Sequence, residues 1–220
     1  MLIICHHLEF VRRMWYNIGN IARKSAEIKW KVSILELTSL SKYLSLLLRH
    51  KPEIAGITLD RHGWADVDEL IAGVAKSRAF DMQTLEAIVA SDTKKRYEFN
   101  ADKSKIRACQ GHSVKVDTEP ELLDPPELLY HGSCTRFTES IQHNGLLPGQ
   151  RLYVHLTIDY LTARKVGSRR GKPVVYIVRA AKMAADGYKF YRSSNGVWLA
   201  KAIPSEYLEL MPENNAKGAD

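Results

Sequence analysis

From Thr38 onward apolar residues return every three or four positions. Leu40, Tyr43, Leu44, Leu47 and Leu48 share one face, so the spacing predicts an amphipathic helix with Thr38 or Ser39 capping its first turn. Pro52 disfavours helical geometry at Lys51, which puts Arg49 and His50 in the last turn or just beyond it. Two shorter helices are predicted, one through Val67, Leu70, Ile71 and Val74 behind an Asp66 cap, the other through Leu85, Ile88 and Val89. The period then changes to alternation. Residues 95–100 and 106–116 read as the arms of a hairpin around the polar loop Asn100 to Lys105.

The stretch from Thr118 to Glu127, with Pro120, Pro125 and Pro126 among glutamates, continues neither neighbour and marks a boundary. Beyond it, strand candidates at 128–130, 152–156, 173–178, 188–191, 196–200 and 207–211 alternate with helices through Ile141 and from Asp159. The expected fold class is therefore α+β. Its three parts are an extension over 1–37, a first lobe of three helices and a basic hairpin over 38–120 that resembles a winged helix, and a mixed α/β lobe over 121–220. All the motifs that carry chemistry begin after Thr38, and the extension, with its adjacent His6 and His7, is not expected to contribute to activity.

Composition narrows the classes. With 45% hydrophobic residues the chain can bury a real core, and no apolar run approaches the roughly 20 residues of a membrane-spanning helix, so membrane catalysis is set aside. Cys5, Cys109 and Cys134 form no C-x-x-C pair, which suggests neither a disulfide framework nor a zinc ribbon and fits a reducing cytoplasm; a monomer is expected. The net charge of +7 favours a polyanionic partner. Basic residues concentrate in the hairpin (Lys94, Lys95, Arg96, Lys103, Lys105, Arg107, Lys115) and at Arg164, Lys165, Arg169, Arg170 and Lys172, although a solvated face would read the same way.

Two nucleotide motifs fail. Gly167 to Lys172 has three residues between its glycines where a phosphate loop needs four, and Pro173 follows the lysine; no G-x-G-x-x-G follows a first strand. Histidines are too dispersed for a local zinc signature, so no metal site is expected.

What remains is a set of short motifs in fixed order: LLLRHKP at Leu46 to Pro52, KRYEFN at Lys95 to Asn100, IRACQGHS at Ile106 to Ser113, YHGS at Tyr130 to Ser133, GQRLYVHLT at Gly149 to Thr157, basic residues at Ser168 to Gly171, and NGVWL at Asn195 to Leu199. Together, from about residue 38 to the end, they resemble the RNA 2'-phosphotransferase (KptA-type) family. The resemblance implies a winged-helix RNA lobe joined to an NAD lobe of the ADP-ribosyltransferase type. It also implies an activity that removes an internal RNA 2'-phosphate by transfer to NAD, giving 2'-hydroxyl RNA, ADP-ribose 1'',2''-cyclic phosphate and nicotinamide.

By motif, Arg49, His50, Arg96 and Arg151 correspond to the catalytic positions around the RNA phosphate. His131, Gly132, Ser133, His155, Thr157, Arg170, Asn195 and Val197 correspond to NAD-lobe positions. Guanidinium forks suit a phosphomonoester because they hold its oxygens bidentately and stay charged at neutral pH. Arg107 lies in the same hairpin as Arg96 and rivals it, but the KRY context favours Arg96. Val197 stands where many ADP-ribosyltransferases carry an acid, which fits an acceptor that is already anionic and needs little general-base help. Gln110 and His112 either contact RNA or hold the turn, and Cys109 reads as a small buried side chain rather than a nucleophile. Competing functions are an ADP-ribosyltransferase that caps terminal phosphates of nucleic acid and a winged-helix regulator without catalysis.

Overall fold

A computed structural model of the chain describes residues 35–212, so the extension with Cys5, His6 and His7 lies outside the described residues. Helix α1 occupies 35–49 and turns Leu44, Leu47 and Leu48 inward, each at most 1% exposed. It begins earlier than the sequence suggests. Leu37 already packs on the core, and the apolar stripe thus continues past Thr38 and Ser39, which sit inside the helix instead of capping it. At the other end the amides of His50 and Lys51 both donate to the Leu46 carbonyl, and Lys51 leaves helical geometry ahead of Pro52, as the proline demands.

The sheet of this first half has the order β1-β3-β2, built from β1 (Trp64–Asp66), β2 (Tyr97–Phe99) and β3 (Lys105–Ala108), all antiparallel. Strand β1 was not predicted, because three residues of the type Trp-Ala-Asp carry no alternation to read. Two helices stand between β1 and β2. Helix α2 (Val67–Ala75) is capped by Asp66, whose carboxylate accepts from the Glu69 amide at 3.0 Å, and α3 (Met82–Ser91) is capped by Asp81. Leu70, Leu85, Ile88 and Ile106 meet the α1 leucines in one core, and full burial of each contributes about 1.5–3 kcal/mol.

The expected strand over 106–116 ends at Ala108. Gly111 takes φ +92, a left-handed conformation that breaks the extended run, and the Ser113 and Val114 amides turn to the Arg49 carbonyl instead of a strand partner.

A second core lies between two antiparallel sheets. One has the order β10-β7-β5, from β5 (Leu128–Cys134), β7 (Pro173–Arg179) and β10 (Leu208–Leu210). The other runs β4-β8-β9-β6, from β4 (Glu121–Leu122), β6 (Val154–Leu156), β8 (Phe190–Arg192) and β9 (Trp198–Ala200). The amides of Tyr130 and Thr157 exchange hydrogen bonds at 2.7 and 3.0 Å and so tie β5 to the end of β6. Helix α4 (Thr138–Asn144) buries Ile141. An unpredicted helix, α6 (Ala180–Ala185), follows β7 directly and buries Met183.

Helix α5 (Tyr160–Gly167), capped by Asp159, lies on β5 at glycine distance. A Cβ on Gly132 would fall 1.7 Å from the Ala163 carbonyl oxygen, and one on Gly167 would fall 2.2 Å from the Ser133 oxygen. This approach brings the basic residues that follow α5 alongside the strand carrying His131.

Gly167 has ordinary helical backbone angles, φ −59 and ψ −41. Alanine there should favour the helix by about 1 kcal/mol, while overpacking against rigid backbone costs about 1–3 kcal/mol and should win. Gly167→Ala is therefore expected to lower the melting temperature by several degrees, roughly 2–4 °C per kcal/mol at this size, as calorimetry would measure. An unchanged or raised melting temperature would show that α5 does not sit this close.

Candidate active site

Arg49 stands where α1 ends, between the two cores. Its Nε and Nη2 atoms are buried and have no hydrogen-bond partner among the described residues. Burial pushes its pKa down, Tyr97 nearby raises it, and Arg96 and Arg151 both lower it further. Three of the four arginine and histidine positions singled out in the sequence thus converge as like charges. The fourth, His50, joins them: burial, Arg49 and Arg151 hold its pKa below the ordinary histidine value.

Arg96 and His50 are held from behind. The Arg96 guanidinium pairs with Asp92, whose other oxygen accepts from the Arg96 amide at 2.6 Å. His50 Nδ1 lies 2.9 Å from Ser113 Oγ. Arg151 is exposed, yet loss of solvent around its guanidinium and the neighbouring Arg170 and Arg169 lower its pKa. Arg107, the rival to Arg96, is engaged elsewhere. Its register neighbours are Trp64 and Glu98, its guanidinium lies 4.4 Å from the Trp64 ring centroid, and its Nε donates to Glu98 at 2.6 Å.

His131 on β5 donates from Nδ1 to the His155 carbonyl oxygen at 3.0 Å, which leaves Nε2 of the neutral ring as an acceptor. On β6, His155 Nδ1 lies 3.5 Å from Arg151 Nη1, and its Nε2 is buried and has no hydrogen-bond partner among the described residues. Burial, then Arg151, Arg49 and His131, push the His155 pKa down to about 3. Desolvation likewise lowers that of His131.

The other positions divide. Gly132 and Ser133 make the close contact with α5 and are a packing device as well as neighbours of His131. Thr157 Oγ1 accepts from the Asp159 amide at 3.1 Å and shapes the start of α5. Asn195 Oδ1 accepts from Ser193 Oγ at 2.7 Å, and its Nδ2 donates to the Lys94 carbonyl at 3.1 Å, a bond between the two halves of the chain. Val197 is part of the same turn, its amide donating to Ser193 Oγ at 3.1 Å. A second bond between the halves runs from the Leu152 amide to the His112 carbonyl at 3.2 Å.

Sequence reasoning missed Asp92, Ser193 and Ser113. Asp92 and Arg96 are four apart but lie in a turn beyond α3, where helix spacing gives no pairing signal. The other two are defined by tertiary contact alone.

His112 is 2% exposed, its Nε2 is unpartnered, and it lines a small cavity of about 10 Å³ together with His155, Leu152 and Gly111. Desolvation, then Arg49, His50 and Arg107, push its pKa down to about 4. A histidine whose folded pKa lies below the unfolded value leaves the unfolded state with more bound protons between the two, so its contribution is complete above about pH 6.5 and is lost as pH falls. Taking the unfolded pKa as about 6.5, His112 alone should cost about 2 kcal/mol of stability on going from pH 7 to pH 5. Denaturant titrations should show that loss, and His112→Asn should shallow the slope across this window. An unaltered slope would place the titration on other groups.

A sequence profile described as RNA 2'-phosphotransferase, Tpt1 / KptA family, matches residues 36–202. A protein of Hahella chejuensis named "Probable RNA 2'-phosphotransferase" is 49% identical over 177 residues, covering 80% of this chain and 95% of that one. Proteins of the same name from Agrobacterium fabrum and Escherichia coli O139:H28 are 49% and 47% identical, covering 82% and 79% of this chain and 97% and 96% of theirs. Arg49, His50, Arg96, Arg151, His131 and His155 all lie within the matched span, and the chain belongs to the RNA 2'-phosphotransferase, Tpt1 / KptA family.

Proposed function

We propose that the chain transfers an internal 2'-phosphate from RNA to NAD, with the first half acting as a winged-helix RNA lobe and the second as an ADP-ribosyltransferase-like NAD lobe. One observation carries the reading: Arg49 keeps two guanidinium nitrogens buried and unpaired in the company of Arg96 and Arg151. A buried charge without a partner costs several kcal/mol, and a dianionic phosphate is the ligand that turns the cost into binding energy.

NAD supplies an electrophilic anomeric carbon and, in nicotinamide, a leaving group. The residues suited to it are the histidine pair, with an acceptor on His131 and an unpartnered Nε2 on His155, and Arg170 nearby for the pyrophosphate charge. In the first step a phosphate oxygen of the RNA bonds to that carbon as the bond to nicotinamide breaks, and nicotinamide leaves with the electron pair. No base is required, because the nucleophile is an anion, and Val197 in place of an acid accords with this. In the second step the neighbouring hydroxyl of the ADP-ribose gives up its proton and bonds to phosphorus, the bond to the RNA 2'-oxygen breaks, and that oxygen takes up a proton, so none is gained or lost overall. The cyclic phosphate of ADP-ribose is the second product. Arg49, Arg96 and Arg151 are positioned to hold charge growing on the phosphoryl oxygens. His50, close to the same arginines, is suited to donate a hydrogen bond or proton to the departing oxygen.

The division of labour separates by product. In labelled 2'-phosphorylated RNA with NAD, His50→Ala and Arg96→Ala should accumulate 2'-phospho-ADP-ribosylated RNA, with the second step slowed about 100-fold or more. His131→Ala should leave the RNA untouched. Arg107→Ala should keep the wild-type product pattern and lower only stability, since its partners are Glu98 and Trp64. Identical untouched substrate with all of the first three, each shown folded by circular dichroism, would overturn the assignment of steps.

A further inference from the structure

Ser113 has no role in the chemistry described so far, yet the loop that carries it touches Arg49 and His50 and is hydrogen-bonded to Leu152, the neighbour of Arg151. Gly111 backs onto Arg49: a Cβ there would lie 3.5 Å from Nη1, and its φ of +92 is one that other residues adopt with strain. His112 is buried, and its carbonyl accepts from Leu152, the residue after Arg151. The Ser113 amide donates to the Arg49 carbonyl at 2.9 Å, and its Oγ lies 2.9 Å from His50 Nδ1.

The backbone of Ser113 is therefore anchored independently of its hydroxyl. A hydroxyl can donate to Nδ1 of a neutral imidazole and accept from Nδ1–H of a protonated one. In the first case the ring proton is fixed on Nε2, the nitrogen remote from Ser113 and free to serve as donor. In the second, the same contact keeps the ring in place while it carries the extra proton. Either way the imidazole plane stays put through a proton transfer, which a flexible side chain beyond a helix end cannot do alone.

We propose that Ser113 is a positioning residue for His50, orienting its imidazole toward the leaving oxygen of the RNA in the second step. This rests on the assignment of His50 to that step. It predicts that Ser113 acts only through His50, whereas a serine that merely holds the loop would affect binding, stability and both steps alike.

The test uses the full chain, 2'-phosphorylated RNA and NAD under single turnover, following nicotinamide release and RNA 2'-hydroxyl formation separately. Ser113→Ala should slow the second step about 10-fold or more, as expected for a lost hydrogen bond to an ionisable group, and leave the first within about 2-fold. Ser113→Thr, which keeps the hydroxyl, should recover most of the lost rate. In a double-mutant cycle, Ser113→Ala should add nothing to His50→Ala. Additive losses, an equal slowing of both steps, or failure of Ser113→Thr to recover the rate would overturn the proposal while leaving His50 in its place. A fully active His50→Ala would instead remove the assignment beneath it.

Discussion

The arrangement depends on one uncompensated charge. Arg49 is drawn out of water at the seam of two cores with two donors unsatisfied, and Arg96 and Arg151 press like charge on it. Nothing about such a cluster is stable by itself. It persists because groups around it fix its members while leaving Arg49 Nε and Nη2 unpartnered among the described residues. Asp92 grips Arg96 from the side, the Gly111 to Ser113 loop closes over the end of α1, and the chain around Leu152 is hydrogen-bonded across the seam. The two apolar cores supply the stability that this site consumes.

Much of this was readable from local rules. Pro52 placed Arg49 and His50 at the end of a helix, Asp66 and Asp159 announced helix starts, and motif order located the two strand histidines. The failures are equally physical. The start of α1 moved because Leu37 finds a tertiary partner, and β1 was invisible because its three residues become a strand only by pairing with β3. The end of β3 depended on a left-handed glycine that alternation alone does not reveal.

Arg96 and Arg107 show the same limit within the site. Both are basic, both belong to one hairpin, and spacing ranks them equally. What separates them is register. Glu98 and Trp64 flank Arg107 on neighbouring strands and occupy its charge and its face, while Arg96 precedes β2 and lies within the field of Arg49. The run from Gly167 to Lys172, which mimics a phosphate loop in outline, has another explanation: its first glycine is a contact surface for β5, and the arginines after it are displayed as a short 3-10 turn.

The position of Arg49 at the last turn of α1 has a further consequence. Anion sites in many proteins use the opposite end of a helix, where free amides and the positive pole of the macrodipole attract phosphate without any charged side chain. Here the cluster gathers at the carbonyl end, whose negative pole stabilises the guanidinium but repels an incoming anion. The attraction must then be carried by side chains, with no contribution from the backbone of α1. Such a site is legible as a set of arginines rather than as a glycine-rich fingerprint, and it has little redundancy: an arginine replaced by lysine keeps the charge but surrenders the fork that spans two oxygens.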